Sequence, residues 1–223
     1  MKCFRVLVFL LSWILLGSLC GCRVTESEAP NAQATQTPSV EGTPVEEAEL
    51  TELQGLFADP HGWYSRILTS DFEVPAQIDL YELFYNGIPG MDNTLQAEER
   101  AYLETVWSEF EFQMDAQRLP AEEMDEVLQT YLGVSLEDTD KTGLERFTFW
   151  EAGNCYYLAH GDTNAIQPLL FAAYIQEDGT IAVYYSNGNF DSNAKAKPEK
   201  VAVLRPTANG YQILSNGANK PSK

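Results

Sequence analysis

The chain has 223 residues, 44% hydrophobic and 12% aromatic, enough apolar side chain for one globular domain and too much for a collagen-like or fully disordered polypeptide. Its 14 Lys and Arg stand against 33 Asp and Glu, a formal charge of −19. Nucleic acid is excluded as a partner on that balance, because phosphate contacts need clustered basic side chains.

The first 21 residues differ from the rest. Lys2 and Arg5 form a basic start, Val6 to Leu19 is a run of apolar and small residues, and no acid occurs before Glu26. That order is the pattern of a secretory signal peptide. The apolar run of about 14 residues is shorter than the roughly 20 that a spanning helix needs, and it lacks the polar face of a helix packed on a core.

The run ends Leu19-Cys20-Gly21-Cys22. Leu-x-Gly-Cys resembles the lipobox of bacterial lipoproteins, a resemblance confined to the first 22 residues. It implies that residues 1–21 are removed, and that the Cys22 thiol receives a diacylglyceryl group and becomes the mature N-terminus. Cys20 does not fit, with Leu19 directly before it and Gly17 three places back. Two acyl chains anchor a protein stably, so the implied partner is the lipid bilayer and the implied location the extracytoplasmic face of the cell membrane. With Cys3 and Cys20 removed and Cys22 acylated, Cys155 alone stays a thiol, and no internal disulfide is expected.

After Cys22, the segment to residue 50 holds few large apolar side chains among many Thr, Ser, Pro, Ala and Glu, so it cannot offset the entropy of ordering. A disordered tether over 22–50 is expected, with a mean reach of about 30 Å. A cleaved spacer would have the same composition. A single globular domain is expected over 51–219.

The first half of that domain reads as helices. Leu50, Leu53, Leu56 and Phe57 share a face that Asp59-Pro60 closes; Trp63, Tyr64, Ile67 and Leu68 repeat the spacing. Asp79 can cap a short helix through Leu80, Leu83 and Phe84, ended by Asn86-Gly87. One helix is expected from Glu98 to Phe112, with Tyr102, Leu103, Val106, Trp107 and Phe110 on its apolar stripe. Another runs from Pro120 to Leu132, with Pro120 as first helical residue and Gly133 as terminator. Its acids Glu122, Glu123, Asp125 and Glu126 suit the N-terminal dipole and a solvated face.

After Gly143 the period becomes that of strands. Three hairpins are expected: Phe147–Glu151 with Cys155–Ala159, Leu169–Gln176 with Thr180–Ser186, and Val201–Arg205 with Tyr211–Ser215, joined by Ala152-Gly153-Asn154, Glu177-Asp178-Gly179 and a loop holding Asn209-Gly210. The middle pair is apolar at consecutive positions, so both its faces should be covered. The fold class is therefore α+β, N-terminal helices packed on a C-terminal antiparallel sheet. Residues 51–190 carry 25 acids and 5 bases, residues 191–223 only 2 acids and 6 bases. Lys195, Lys197 and Lys200 decorate a polar loop, a common solubility device, while anionic lipid and wall polymers should repel the acidic body.

Phosphate-binding loops, nucleophile elbows, zinc-protease helices and Cys-x-x-Cys pairs are all missing from the sequence, and no metal or cofactor is expected. Cys155 and His160 lie five apart, so on a strand they face opposite ways and cannot form a thiol and base pair; Cys155 reads as a small buried hydrophobe. His61 falls in a turn. Asp138 to Gly143 begins like a calcium loop, yet its twelfth position is Phe149 where a bidentate Glu is needed, and a turn between helix and strand accounts for it. The polar run His160-Gly161-Asp162-Thr163-Asn164 follows an apolar strand, as binding loops do, so His160, Asp162 and Asn164 form a candidate binding loop; an Asx-type turn uses the same residues. WEAGNCYYLAHGDTN, with the later Asp-Gly and Asn-Gly hairpins, resembles segments of uncharacterised lipoproteins of clostridial-type Gram-positive bacteria over the last third of the chain, and implies location and fold without an activity. The expected function is a non-catalytic binding or scaffolding module at the cell envelope, acting on a protein or small molecule. The alternative is an envelope hydrolase using carboxylates near Asp162 and His160.

Overall fold

The helical spacing in the first half of the chain produces the elements it implies, within limits set by capping. The computed structural model describes residues 42–162, 166–187 and 198–219; Cys22, Asn164, Lys195 and Lys197 lie outside the described residues. Helix α1 (Glu47–Ala58) buries Leu53 and Phe57 and ends at Asp59. A short α2 (Trp63–Ile67) follows, and α3 (Leu80–Phe84) starts where the Asp79 carboxylate accepts the Tyr81 and Glu82 N–H groups. Among the described residues no helix is long and apolar enough to cross a membrane.

Three expectations about this half need correction. The tether does not extend to residue 50, because Thr43–Pro44 forms strand β1, Val45 N–H reaches Ala173 O at 3.1 Å and α1 begins at Glu47. Composition undercounts this stretch, since its partners lie far away in sequence. The helix expected over Glu98 to Phe112 is broken into α4 (Ala97–Val106) and α5 (Glu109–Phe112), with Trp107 extended and the Ser108 hydroxyl accepting from Glu111 N–H. Ser108-x-x-Glu111 is a capping box, with the Glu111 carboxylate accepting Ser108 N–H in return, and these reciprocal bonds start a new helix here. Its cost to the stripe is visible, as Val106 and Phe110 stand exposed. Finally, Pro120 ends a strand and caps α6 (Ala121–Leu132) instead of opening it, while Gly133 terminates the helix at φ 71° as expected.

All three hairpins form. Strands β5 (Pro168–Ile175) and β6 (Ile181–Asn187) pair antiparallel, as do β7 (Lys200–Thr207) and β8 (Gly210–Ala218), in a five-stranded sheet of order β1-β5-β6-β7-β8. Central β6 is buried along nearly its whole length; β5, nearer the edge, exposes Leu169 and Ile175. The first hairpin, β3 (Thr148–Trp150) and β4 (Cys155–His160), departs from the single expected sheet. It joins β2 (Asp115–Pro120) in a second, three-stranded sheet of order β2-β4-β3.

Helix α1 lies against β5 and α6 against β8. The main core gathers Leu53, Phe57, Leu128, Val183, Leu204 and Ile213 between them. Register puts Asp115, Gln117 and Leu119 opposite His160, Leu158 and Tyr156, so these share the face that meets the main core. The alternate residues Ala116 and Arg118 share the other face with Tyr157, where Leu103, Cys155, Trp107 and Phe112 form a smaller cluster. A fragment beginning at Gly42 should therefore be more stable than one beginning at Ala48, by about 1–2 kcal/mol for the β1 pairing and Val45 packing. Urea denaturation of the two measures it, and equal midpoints would mean that β1 contributes nothing.

Candidate functional site

The small sheet leaves one long strand, β2, at its edge. In an antiparallel ladder, successive residues direct their N–H and C=O groups alternately toward and away from the partner strand. Arg118 points away, since its N–H donates to Asn93 Oδ1 at 2.9 Å. Ala116, two residues earlier, points the same way, and Pro120 has no N–H to offer. The donor left open on this edge is thus the Ala116 N–H, beside the outward C=O groups of Ala116 and Arg118.

Ala116 lies in the wall of two adjoining cavities. One, of about 460 Å³, is bounded by Met91, Asp92, Asn93, Thr94, Asp115 and Gln117 as well. The other, of about 250 Å³, continues from Asn93 and Asp115 past Leu95, Trp107, Phe112 and Met114 to Arg100. Together they make a groove along the strand edge, with Asp92 at one end, Trp107 and Phe112 at the other and Asp115 lining both parts. Its walls are fixed locally. Thr94 N–H donates to Asp92 Oδ1 at 2.9 Å, and the Thr94 hydroxyl and N–H hold the Asp92 carboxyl below the usual range. Asn93 Nδ2 donates to Gln117 Oε1 at 2.9 Å, the Trp107 indole N–H to Thr148 Oγ1 at 2.8 Å, and the Arg100 guanidinium sits 5.8 Å from the Phe112 ring centre.

Behind the groove lies a buried polar cluster. Glu99 Oε1 accepts from Arg118 Nε and from the Tyr157 hydroxyl, each at 2.8 Å, and its Oε2 accepts Gln96 N–H at 2.7 Å. Burial alone would raise the Glu99 carboxyl; the three donors outweigh it and hold the acid below its ordinary range. This cluster joins α4, which carries Arg100, to the edge strand. Gly87, at φ 68°, passes so close that a Cβ there would lie 2.1 Å from Gln117 Oε1.

The sequence-predicted loop sits next to this groove. His160 is half-buried at the end of β4, directly across from Asp115. Its Nε2 lies 3.3 Å from Asn86 Oδ1 and its ring 5.0 Å from that of Tyr85. Asp162 is exposed two residues on, and Asn164 is outside the described residues. Cys155 points into the small cluster, fully buried, with burial pushing its thiol up; it and His160 do not meet. The segment resembling a calcium loop is a turn docked on α3: Asp138 accepts from Ser135 Oγ at 2.6 Å, and Leu80 N–H donates to Thr142 O at 2.9 Å. Among the described residues no three His, Cys, Asp or Glu side chains converge as metal ligands.

Sequence reasoning missed β2 and the groove; of its lining, Trp107 and Phe112 were placed only as parts of one continuous helix. Asp92-Asn93-Thr94, an Asx-type turn, and Ser108-x-x-Glu111 carried a readable signal. The chain matches no protein family, no curated protein and no solved structure.

Proposed function

We propose that the protein is a lipid-anchored, extracytoplasmic binding module whose ligand site is the groove along the outer edge of β2. The lipobox at Cys22, the short signal and the polar tether support the anchoring. The observation that carries the binding site is the open edge at Ala116, which lines two adjoining cavities, one holding Asp92, the other Trp107, Phe112 and Arg100, with Asp115 common to both. Concave surfaces with an apolar wall and a few converging polar groups are where ligands bind. The hydrolase alternative has less support, since Asp162 is exposed and the His160 ring is taken up by Tyr85 and Asn86.

Two measurements test the reading. Metabolic labelling with a fatty-acid analogue should mark the wild-type protein and lose the label completely on Cys22→Ala; label retained by that variant would refute the anchor. A photo-crosslinking side chain introduced at Thr94 should trap envelope material in living cells, whereas the same group at Glu123, on the exposed face of α6, should not. Equal trapping at both positions would remove the groove from consideration.

A further inference from the structure

We infer that the groove takes an extended peptide segment that adds to β2 as a new edge strand and carries apolar side chains alternating with a lysine or arginine. The inference rests on the groove being the binding site, and it names the chemistry of the ligand. Main-chain groups of an exposed edge supply affinity in this mode of recognition, and pockets for alternate side chains supply selectivity. Here the exposed edge is short. Arg118 N–H is already held by Asn93 and Pro120 has none, so Ala116 offers the one open donor, with its own C=O and that of Arg118 as acceptors. So few hydrogen bonds alone give weak binding, and the side chains must do the selecting.

What they select follows from the pleat. Successive side chains of an added strand project to opposite faces of the sheet. On the Ala116 face they would meet the side that carries Trp107 and Phe112; on the opposite face lies the Asp115 carboxylate, which lines both cavities and shares one of them with Asp92. An apolar residue followed by a cation satisfies both walls. Arg100, over the Phe112 ring, disfavours a second cation on the apolar side. The acidic balance of residues 51–190, 25 acids to 5 bases, adds a long-range attraction for a basic segment.

The test uses the full chain in detergent and two labelled, capped pentapeptides, Thr-Phe-Lys-Phe-Thr and Thr-Phe-Glu-Phe-Thr, followed by fluorescence anisotropy. The lysine peptide should bind at least tenfold more tightly than the glutamate peptide, and Asp115→Lys should reverse that order. Ala116→Pro should weaken the lysine peptide at least tenfold. The replaced N–H lies outside the ladder, where proline is accepted on an edge strand, so the melting temperature should hold. Amide exchange supplies a second readout without substitution: saturating lysine peptide should slow exchange at Ala116. Equal affinity for the two peptides, or unchanged exchange at Ala116, would overturn the inference. If it falls while Trp107→Ala still abolishes crosslinking from Thr94, the groove remains a site for another ligand; if that crosslinking is also indifferent to Trp107→Ala, both readings fail.

Discussion

Replacing Asn216 by Ala is expected to lower the free energy of unfolding by about 3 kcal/mol, measured as a fall in the urea midpoint at an unchanged slope. Asn216 lies on β8 with 2% of its surface exposed. Its Oδ1 accepts the Tyr185 hydroxyl at 2.5 Å, and its Nδ2 donates to Ser70 O at 2.7 Å and to Leu68 O at 3.4 Å. Its backbone exchanges hydrogen bonds with Phe72 at 2.8 and 2.9 Å. One side chain thereby fastens the segment after α2 to the five-stranded sheet. Alanine removes the partner of one buried donor and of two carbonyls, and each buried group left unsatisfied costs about 1–3 kcal/mol. Tyr185→Phe separates the contributions. Burial raises the Tyr185 phenol, so it remains a donor throughout the ordinary pH range and needs an acceptor. Removing it together with Asn216 should cost less than the two single changes added, because each single change already leaves the other partner of their hydrogen bond unsatisfied. Strict additivity would mean that their hydrogen bond contributes nothing.

The second large effect belongs to Glu99, and it carries a pH dependence. Glu99→Gln should cost about 2 kcal/mol at pH 7, since the uncharged amide gives Arg118 and Tyr157 a weaker acceptor and brings an N–H₂ group into a site built for acceptors. The carboxyl is held below the ordinary carboxylate range in the folded chain, because its three donors outweigh burial. A depressed acid stabilises the fold above its unfolded pKa, and that stabilisation disappears as the pH falls through the folded pKa. The gap between wild type and Glu99→Gln should therefore be full at pH 7 and narrow below pH 4.5. Urea midpoints of both proteins at pH 7 and pH 3 decide it; a gap of equal size at both would mean that Glu99 is not titrating against these donors. Since Glu99 binds α4 to β2, the variant should also weaken occupancy of the groove, whose Arg100 and Ala116 sit on those two elements.

Much of the fold was legible because its signals are local. The Asp79 carboxylate caps the residues that follow it, Gly133 ends its helix through a positive φ, and the Asp178-Gly179 and Asn209-Gly210 turns reverse the chain within a few residues. Each needs only neighbours in sequence. The proposed lipobox at Cys22 rests on the same kind of local signal, four consecutive residues in a fixed order. Hairpin pairing also followed, and with it the α+β class.

Assignment of those hairpins to sheets was a different matter. DAQRLP reads as polar linker, yet Arg118 is neutralised by Glu99, 19 positions earlier, and its strand pairs with β4, nearly 40 positions later. A charged residue tolerates a half-buried strand only when such a partner arrives from elsewhere, and sequence spacing says nothing of its arrival. The same holds for Thr43–Pro44, given a place by Tyr174 and Ile175. His160 shows the division within one residue. The sequence by itself marked it as the polar end of an apolar strand; only the tertiary structure set it across from Asp115 and beside a groove whose walls come from the loop at 91–95, α4, α5 and β2. Periodicity and turn chemistry act over a few residues, whereas an edge strand and the cavity along it exist only once distant segments have packed.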